Sequence, residues 1–210
     1  MPVDSAQWAS KLHLSNFVNS YYQYRDITEL PSCKKILIVG PGQGLDTQIL
    51  KWCGYHVTTF DIDDYFSPDH IGSVHDLSRF FDFEFDVITA SHVLEHLPVQ
   101  YLDSALNEMA RVARYSLVYL PYHGRHISLR FCPGFGNIDL SFILDLFNYF
   151  EKPSGDKPRY MQNMHYWEVG LRGWRPSDLK RKFSNSFQVL KSYRNMDWLP
   201  SYNFILKSRT

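Results

Sequence analysis

Three groups of residues in this 210-residue chain have types and spacings that could do chemistry. The first is Gly40-Pro41-Gly42-Gln43-Gly44, which closes the apolar run Lys35–Val39 and precedes a helical pattern. A strand feeding such a turn sets bare backbone against a ligand at the positive end of a helix. Glycines are needed there because a Cβ would block close approach or forbid the backbone angles. The second group is Asp61 and Asp76. Asp61 closes the next strand, about 20 residues beyond the turn, where a carboxylate accepts hydrogen bonds from ribose hydroxyls. Asp76 follows a third strand and could accept from an adenine amino group, so the two outline an adenosine site. The third group is His92-Val93-Leu94-Glu95-His96, which joins two imidazoles to a carboxylate. Such groups serve as general bases or as metal ligands.

The elements that must carry these groups follow from periodicity. Residues 5–30 read as one or two short helices, with Trp8, Leu12, Phe17 and Tyr21 near helical spacing and Pro31 as the stop. Strands are expected at Lys35–Val39, His56–Phe60, Ile71–Val74, Phe85–Ala90 and Ser116–Leu120. Helices are expected from Leu45 to the Cys53-Gly54 stop and over Val99–Val112. This alternation predicts right-handed βαβ units and a parallel sheet. Residues 121–175 break the rhythm; they are rich in aromatics, Gly and Pro and contain one apolar stretch, Ile138–Phe150, that reads as a helix. A short helix, Ser177–Phe183, and an antiparallel pair, Phe187–Arg194 with Tyr202–Lys207, close the chain.

The expected fold class is therefore α/β, a doubly wound and mainly parallel sheet with a terminal antiparallel hairpin and a helical lid insertion. We expect one domain over residues 1–210. Residues 1–32 are its N-terminal covering helices, 33–120 its cofactor-binding core, 121–175 its acceptor lid, and 176–210 its closing helix and hairpin.

Bulk properties narrow the function. Lys plus Arg and Asp plus Glu number 22 each, so there is no general attraction to nucleic acid or to an anionic membrane. No run of about 18 apolar residues is present, so no membrane span is expected. Met1-Pro2-Val3-Asp4 lacks the charged and apolar blocks of a signal peptide. Cys33, Cys53 and Cys132 are odd in number and widely spaced, which fits reduced thiols in a cytoplasmic protein.

NAD and S-adenosylmethionine both suit the adenosine outline, but the turn lacks the Gly-x-Gly-x-x-Gly spacing of the NAD fingerprint. The decisive stretch is Phe85-Asp86-Val87-Ile88-Thr89-Ala90-Ser91-His92-Val93-Leu94-Glu95-His96-Leu97-Pro98. The order of glycine turn, Asp61, Asp76 and a strand leading to Leu94-Glu95-His96-Leu97 resembles the class I S-adenosylmethionine-dependent methyltransferases, in particular the small-molecule "type 11" group. The resemblance spans roughly residues 34–121 and is supported by the terminal hairpin. It implies a Rossmann-like fold and a cofactor pocket built by Gly40, Pro41, Gly42, Gly44, Asp61, Ile62, Asp76, Leu77 and Ser91. It places the methyl group beside Ser91 and His92. One departure matters. The family carries an acid two positions before the first glycine, on the cofactor's amino group, and here that position is Ile38. Tyr21, Tyr22, Tyr24 and Arg25 could compensate, or could pack a covering helix.

His92–His96 also reads as His-x-x-Glu-His, an inverted zinc-protease motif. That chemistry needs both histidines on one helix, and here a strand-to-helix junction is expected. A second resemblance is to the terminal 2′-O-methyltransferases of small RNAs, whose metal holds the acceptor hydroxyls. It implies the ligand set His92, Glu95, His96 and His165, with His123 and His126 competing for the last place. His92 stands where those enzymes carry Glu, and added imidazole favours a divalent transition metal over magnesium. Other roles stay open: Glu95-His96 as a buttress of the helix, and His92 or His165 as a catalytic general base. Tyr122, Tyr160, Tyr166 and Trp167 either line the acceptor pocket or fill the lid. The expected enzyme is an S-adenosylmethionine-dependent methyltransferase acting on an oxygen of a small-molecule acceptor. The alternatives are an N-methyltransferase, a non-catalytic cofactor-binding partner subunit of the same fold, and a nicotinamide enzyme.

Overall fold

A computed structural model of the chain describes residues 12–131, 140–146 and 165–209. Helix α1 (Leu14–Thr28) precedes strand β1 (Lys35–Val39), helix α2 (Leu45–Trp52), and strands β2 (His56–Asp61), β3 (His70–Ile71) and β4 (Phe85–Ser91). Two short 3₁₀ turns, Leu94–His96 and Val99–Tyr101, lead into helix α3 (Leu102–Val112) and strand β5 (Ala113–Pro121). Strands β6 (Arg125–Phe131) and β7 (Leu140–Leu146), helix α4 (Pro176–Phe183), and strands β8 (Phe187–Arg194) and β9 (Ser201–Ser208) complete the chain.

Seven strands form one sheet in the order β3-β2-β1-β4-β5-β9-β8. β1 pairs in parallel with β2 and β4, β4 in parallel with β5, and β9 runs antiparallel to β5 and β8. β1 is the point at which successive strands turn from one side of the sheet to the other, and ligands of such sheets bind outside the strands' carboxyl ends there. β1 is apolar almost throughout because both of its faces are covered. Ile36 and Ile38 face a core with Tyr22, Ile27, Leu50, Leu117 and Tyr119, while Leu37 and Val39 face a second core with Phe60, Ile88, Leu106 and Phe204. Period-two alternation of side chains produces this split. α3 buries Leu102, Ala105, Leu106, Met109 and Ala110, a helical stripe against the second core.

Two expectations about residues 121–175 change. The Ile138–Phe150 stretch is not a helix where it is described: Leu140–Leu146 is strand β7, paired antiparallel with β6 from Phe131↔Leu140 to Arg125↔Leu146. Leu140, Phe142, Leu144 and Leu146 occur every second residue, and they pair with Phe131, Leu129, Ile127 and Arg125. The period is therefore two, and the helical reading mistook dense apolar content for helical spacing. The far end of the segment is core and not cover. Trp167, Val169, Leu171 and Trp174 are buried in the second cluster, with the two indoles stacked at 4.4 Å. The N-terminal helix is seen as α1, while Trp8 and the rest of residues 1–11 lie outside the described residues.

Candidate active site

The glycine turn sits at the carboxyl end of β1, where Gly40 N–H donates to the Phe60 carbonyl at 2.9 Å. Gly40, Gly42 and Gly44 have φ of +69°, +50° and +74°, a region that L side chains rarely adopt. At Gly40 a Cβ would also lie 2.4 Å from Val93 Cγ2, so glycine lets the turn lie against the segment after β4. At Gly42 a Cβ would meet nothing within 4 Å, which leaves open space for a ligand to approach the backbone. Pro41 is buried within the turn, and Gly44 is the N-cap of α2.

Asp61 ends β2 and is partly buried; its Oδ1 accepts from Asp63 N–H at 3.1 Å. Burial raises its carboxyl above the ordinary range, although the Asp63 and Ile62 amides work against that. A half-buried carboxylate with room for more donors is what a ribose diol requires. Ile62 is exposed beside it, an apolar side chain at the end of β2. Asp76 is exposed; hydrogen bonding from Ser78 holds its carboxyl below the usual value. Leu77 is placed differently from the rest: its side chain is buried in the core, and its N–H donates to Glu108 Oε2 at 2.8 Å. A pocket lined by Phe60, Gly72, Ser73, His75 and Asp76 opens near β3, while the imidazoles cluster at β4, on the far side of β1 and β2 in the strand order.

Ser91 ends β4, and His92 follows with φ of +56°, held by its N–H donating to the Tyr119 carbonyl at 2.8 Å. This left-handed residue turns the chain into the 3₁₀ turn Leu94–His96. His92 and His96 therefore do not lie on one α-helix, and the inverted-protease arrangement is absent. Glu95 is completely buried, and among the described residues neither of its carboxylate oxygens has a close hydrogen-bond partner. His92 Nδ1 is 3.5 Å from Glu95 Oε1, at the outer edge of hydrogen-bond length. Burial pushes the Glu95 carboxyl up, but the neighbouring imidazoles of His92, His96 and His165 outweigh it and hold it below the usual range.

The segment after residue 164 closes over this turn. Tyr166 N–H donates to the Glu95 carbonyl at 2.8 Å, and His123 N–H donates to the Val169 carbonyl at 2.7 Å. These bonds bring the rings of His96 and His165 to 4.8 Å. His165 Nδ1 lies 2.6 Å from Glu168 Oε1, and His123 Nδ1 lies 3.0 Å from Glu168 Oε2. Burial favours neutral His165, but the Glu168 hydrogen bond and the charges of Glu95 and Glu168 win and raise its pKa. One ligand atom from each of Glu95, His96 and His165 lies within 4.8 Å of the others. His92 stands beside this set without joining it. Among the competitors, His123 is tied to Glu168, and His126 lies on β6, whose side chains are outside the described residues, as is Tyr160. Glu168 is the functional candidate that reading the sequence for chemistry missed; its signal was the His-x-x-Glu spacing from His165.

Residues 37–116 match the family model described as "Methyltransferase domain". Over that stretch the chain is similar to the class I S-adenosylmethionine-dependent methyltransferases. Its sheet order and reversed last strand agree with that family's fold. No curated protein sequence matches it. Among solved structures, the PH0226 protein from Pyrococcus horikoshii OT3 is similar in fold, with a TM-score of 0.61 and 12% identity, covering 99% of this chain and 94% of that one. A SAM-dependent methyltransferase from Archaeoglobus fulgidus gives 0.56 and 15%, covering 91% and 93%. Burkholderia thailandensis 1,6-didemethyltoxoflavin-N1-methyltransferase, with bound 1,6-didemethyltoxoflavin and S-adenosylhomocysteine, gives 0.54 and 14%, covering 93% and 87%. The adenosine end of S-adenosylmethionine would fit the residues present: the open turn at Gly42 and the Asp61 carboxylate. At the methionine end, position 38 offers no acid: it is Ile38, buried in the apolar core. Among the described residues no helix is long and apolar enough to cross a membrane.

Proposed function

We propose that this methyltransferase works in the cytoplasm and methylates an oxygen of a small-molecule acceptor, with His165 as general base. S-Adenosylmethionine, when bound, supplies an electrophilic methyl on sulfur. Gly40, Pro41, Gly42, Gly44, Asp61, Ile62, Asp76 and Ser91 remain the proposed cofactor contacts; Leu77 supports Asp76 from behind, with its N–H on Glu108 and its carbonyl accepting from Arg111 and Phe80. The observation that carries the base assignment is the 2.6 Å contact between His165 Nδ1 and Glu168. With Glu168 accepting, Nδ1 holds its proton and Nε2 keeps the lone pair. Nε2 takes the proton of an acceptor hydroxyl, and Glu95 and Glu168 stabilise the resulting imidazolium. His92 is the alternative base, being closer in sequence to Ser91.

A second reading rests on the unpartnered oxygens of buried Glu95. Buried carboxylates are paired or bind metals. Glu95, His96 and His165 would hold a divalent transition metal at roughly 2.0–2.2 Å, with Glu168 orienting His165 from behind. His92, with Nδ1 3.5 Å from Glu95 Oε1, is the fourth residue proposed for this set, standing beside the three. Methyl transfer is measured on paired hydroxyl and amine acceptors, before and after metal stripping. The oxygen reading predicts labelled product from hydroxyl acceptors, and labelling of amines alone overturns it. Full activity after stripping supports the base. Loss of activity that added zinc restores supports the metal.

A further inference from the structure

The cofactor's methionine end carries an ammonium group, and Ile38 cannot receive it: the side chain is 1% exposed and packed in the core. Two of the α1 residues that could have compensated, Tyr22 and Arg25, are engaged elsewhere. Tyr22 donates its hydroxyl to Asp197 at 2.6 Å. Arg25 donates to Asp26 at 2.7 Å and to the Tyr193 hydroxyl at 2.6 Å. Asp26 is fully buried and accepts from Arg25, Tyr119 and Tyr193. That network joins α1 to β5 and β8, and its charge is already matched.

A second buried carboxylate is not matched. Asp46 lies in the first turn of α2, two residues beyond Gly44, and is 9% exposed. Its oxygens accept from Thr47 N–H at 2.8 Å and from Gln23 Nε2 at 3.2 Å, both neutral donors. Among the described residues no cation pairs with it. Beside it Gln23 Oε1, on a side chain 2% exposed, has no partner among the described residues, and Thr47 Oγ1, on one 6% exposed, has none there beyond the Asp46 carboxylate it faces. A primary ammonium brings one positive charge and three N–H donors. Asp46, Gln23 and Thr47 bring one negative charge and three acceptor sites, directly behind the glycine turn.

We propose that Asp46, with Gln23 and Thr47, binds the ammonium group of the cofactor's methionine end, so that the acid missing at Ile38 is supplied from the start of α2. The proposal rests on S-adenosylmethionine as cofactor and is independent of the acceptor proposed above. It also explains the packing of α1 against α2, because Gln23 reaches the site from α1. The rival account makes Asp46 a helix-start acid that only favours the dipole of α2.

The test is calorimetric and needs no turnover. S-Adenosylhomocysteine carries the ammonium, and 5′-methylthioadenosine lacks the whole amino-acid end. Asp46→Asn is expected to weaken S-adenosylhomocysteine by about 10- to 100-fold, as for loss of a charged hydrogen bond, and to leave methylthioadenosine unchanged. Thr47→Val keeps the side-chain shape and removes one of the three acceptor groups, and it should weaken S-adenosylhomocysteine several-fold with the same selectivity. Asp61→Ala should weaken both ligands. Unchanged S-adenosylhomocysteine affinity in both the Asp46→Asn and Thr47→Val proteins overturns the proposal, as do equal losses for the two ligands. Failure of the wild type to bind either ligand overturns the cofactor reading itself, and this proposal with it.

Discussion

His165 and Glu168 stand one 3-residue step apart and meet at 2.6 Å, so that one carboxylate fixes which imidazole nitrogen faces the Glu95–His96 turn. The other Glu168 oxygen reaches His123 at 3.0 Å, tying the segment after β5 to the segment after residue 164. The arrangement ties the site's charge balance to its shape.

Glu168→Gln removes the charge while keeping an acceptor for Nδ1–H. We expect kcat to fall on the order of 10- to 100-fold, the range for partners that orient a working imidazole. The acid limb of the pH–rate profile should move down at the same time, because Glu168 helps to raise His165. A lower rate with an unmoved limb would leave Glu168 a packing residue only.

The pH dependence has a definite sign. As the proposed base His165 would work only when neutral, and its folded pKa is raised above 6.5, so activity should decline as pH falls through a value above 6.5. Stability runs the other way. The pairing of His165 with Glu168 contributes fully below the unfolded value, about 6.5, and is lost as pH rises through the raised folded value. Rate profiles and thermal melts over pH 6 to 9 (a range of about three units around the reference value) should therefore slope in opposite directions.

On the proposed cofactor placement, Asp61→Ala would deprive the ribose hydroxyls of a partly buried acceptor. A loss of about 1.5–3 kcal/mol in S-adenosylhomocysteine binding is expected, roughly 10- to 150-fold in Kd. Calorimetry on the two proteins checks it, and equal affinities would remove Asp61 from the pocket.

Asp46 makes a prediction for the ligand-free protein. Burial pushes its carboxyl from 3.8 up to about 6, so ionising it in the fold costs about 3 kcal/mol at about 1.36 kcal/mol per pH unit. That penalty is complete above the folded value and gone below the unfolded one. Asp46→Asn should therefore melt higher than wild type at about pH 7.5, with the gain closing near pH 4. A variant that melts lower at the upper pH would mean that the charge holds α2 in place.

The parallel core was legible because strands buried on both faces write short apolar runs, and because glycines mark the turn after β1. The glycine turn, Asp61 and the His92–His96 stretch could be read individually, each lying at a strand's end. Glu168 could not, since its role depends on the backbone bond between Tyr166 and Glu95, a contact across 71 residues that no local pattern encodes. Gln23 and Asp46 were hidden for the same reason: they meet only because α1 packs on α2. β7 was misread because Ile143 interrupts an otherwise alternating Leu140–Leu146 run, making it dense enough to pass for a helix.

The account's central claim is that one site at the carboxyl ends of β1, β2 and β4 joins a cofactor pocket to an imidazole–carboxylate cluster. A crystal structure of the S-adenosylhomocysteine complex measures this most directly. We predict ribose hydroxyls on Asp61, the amino group on Asp46, and the sulfur facing the space between Ser91, His92 and His165. A sulfur turned away from that space, or a ligand bound at another edge of the sheet, would contradict the account.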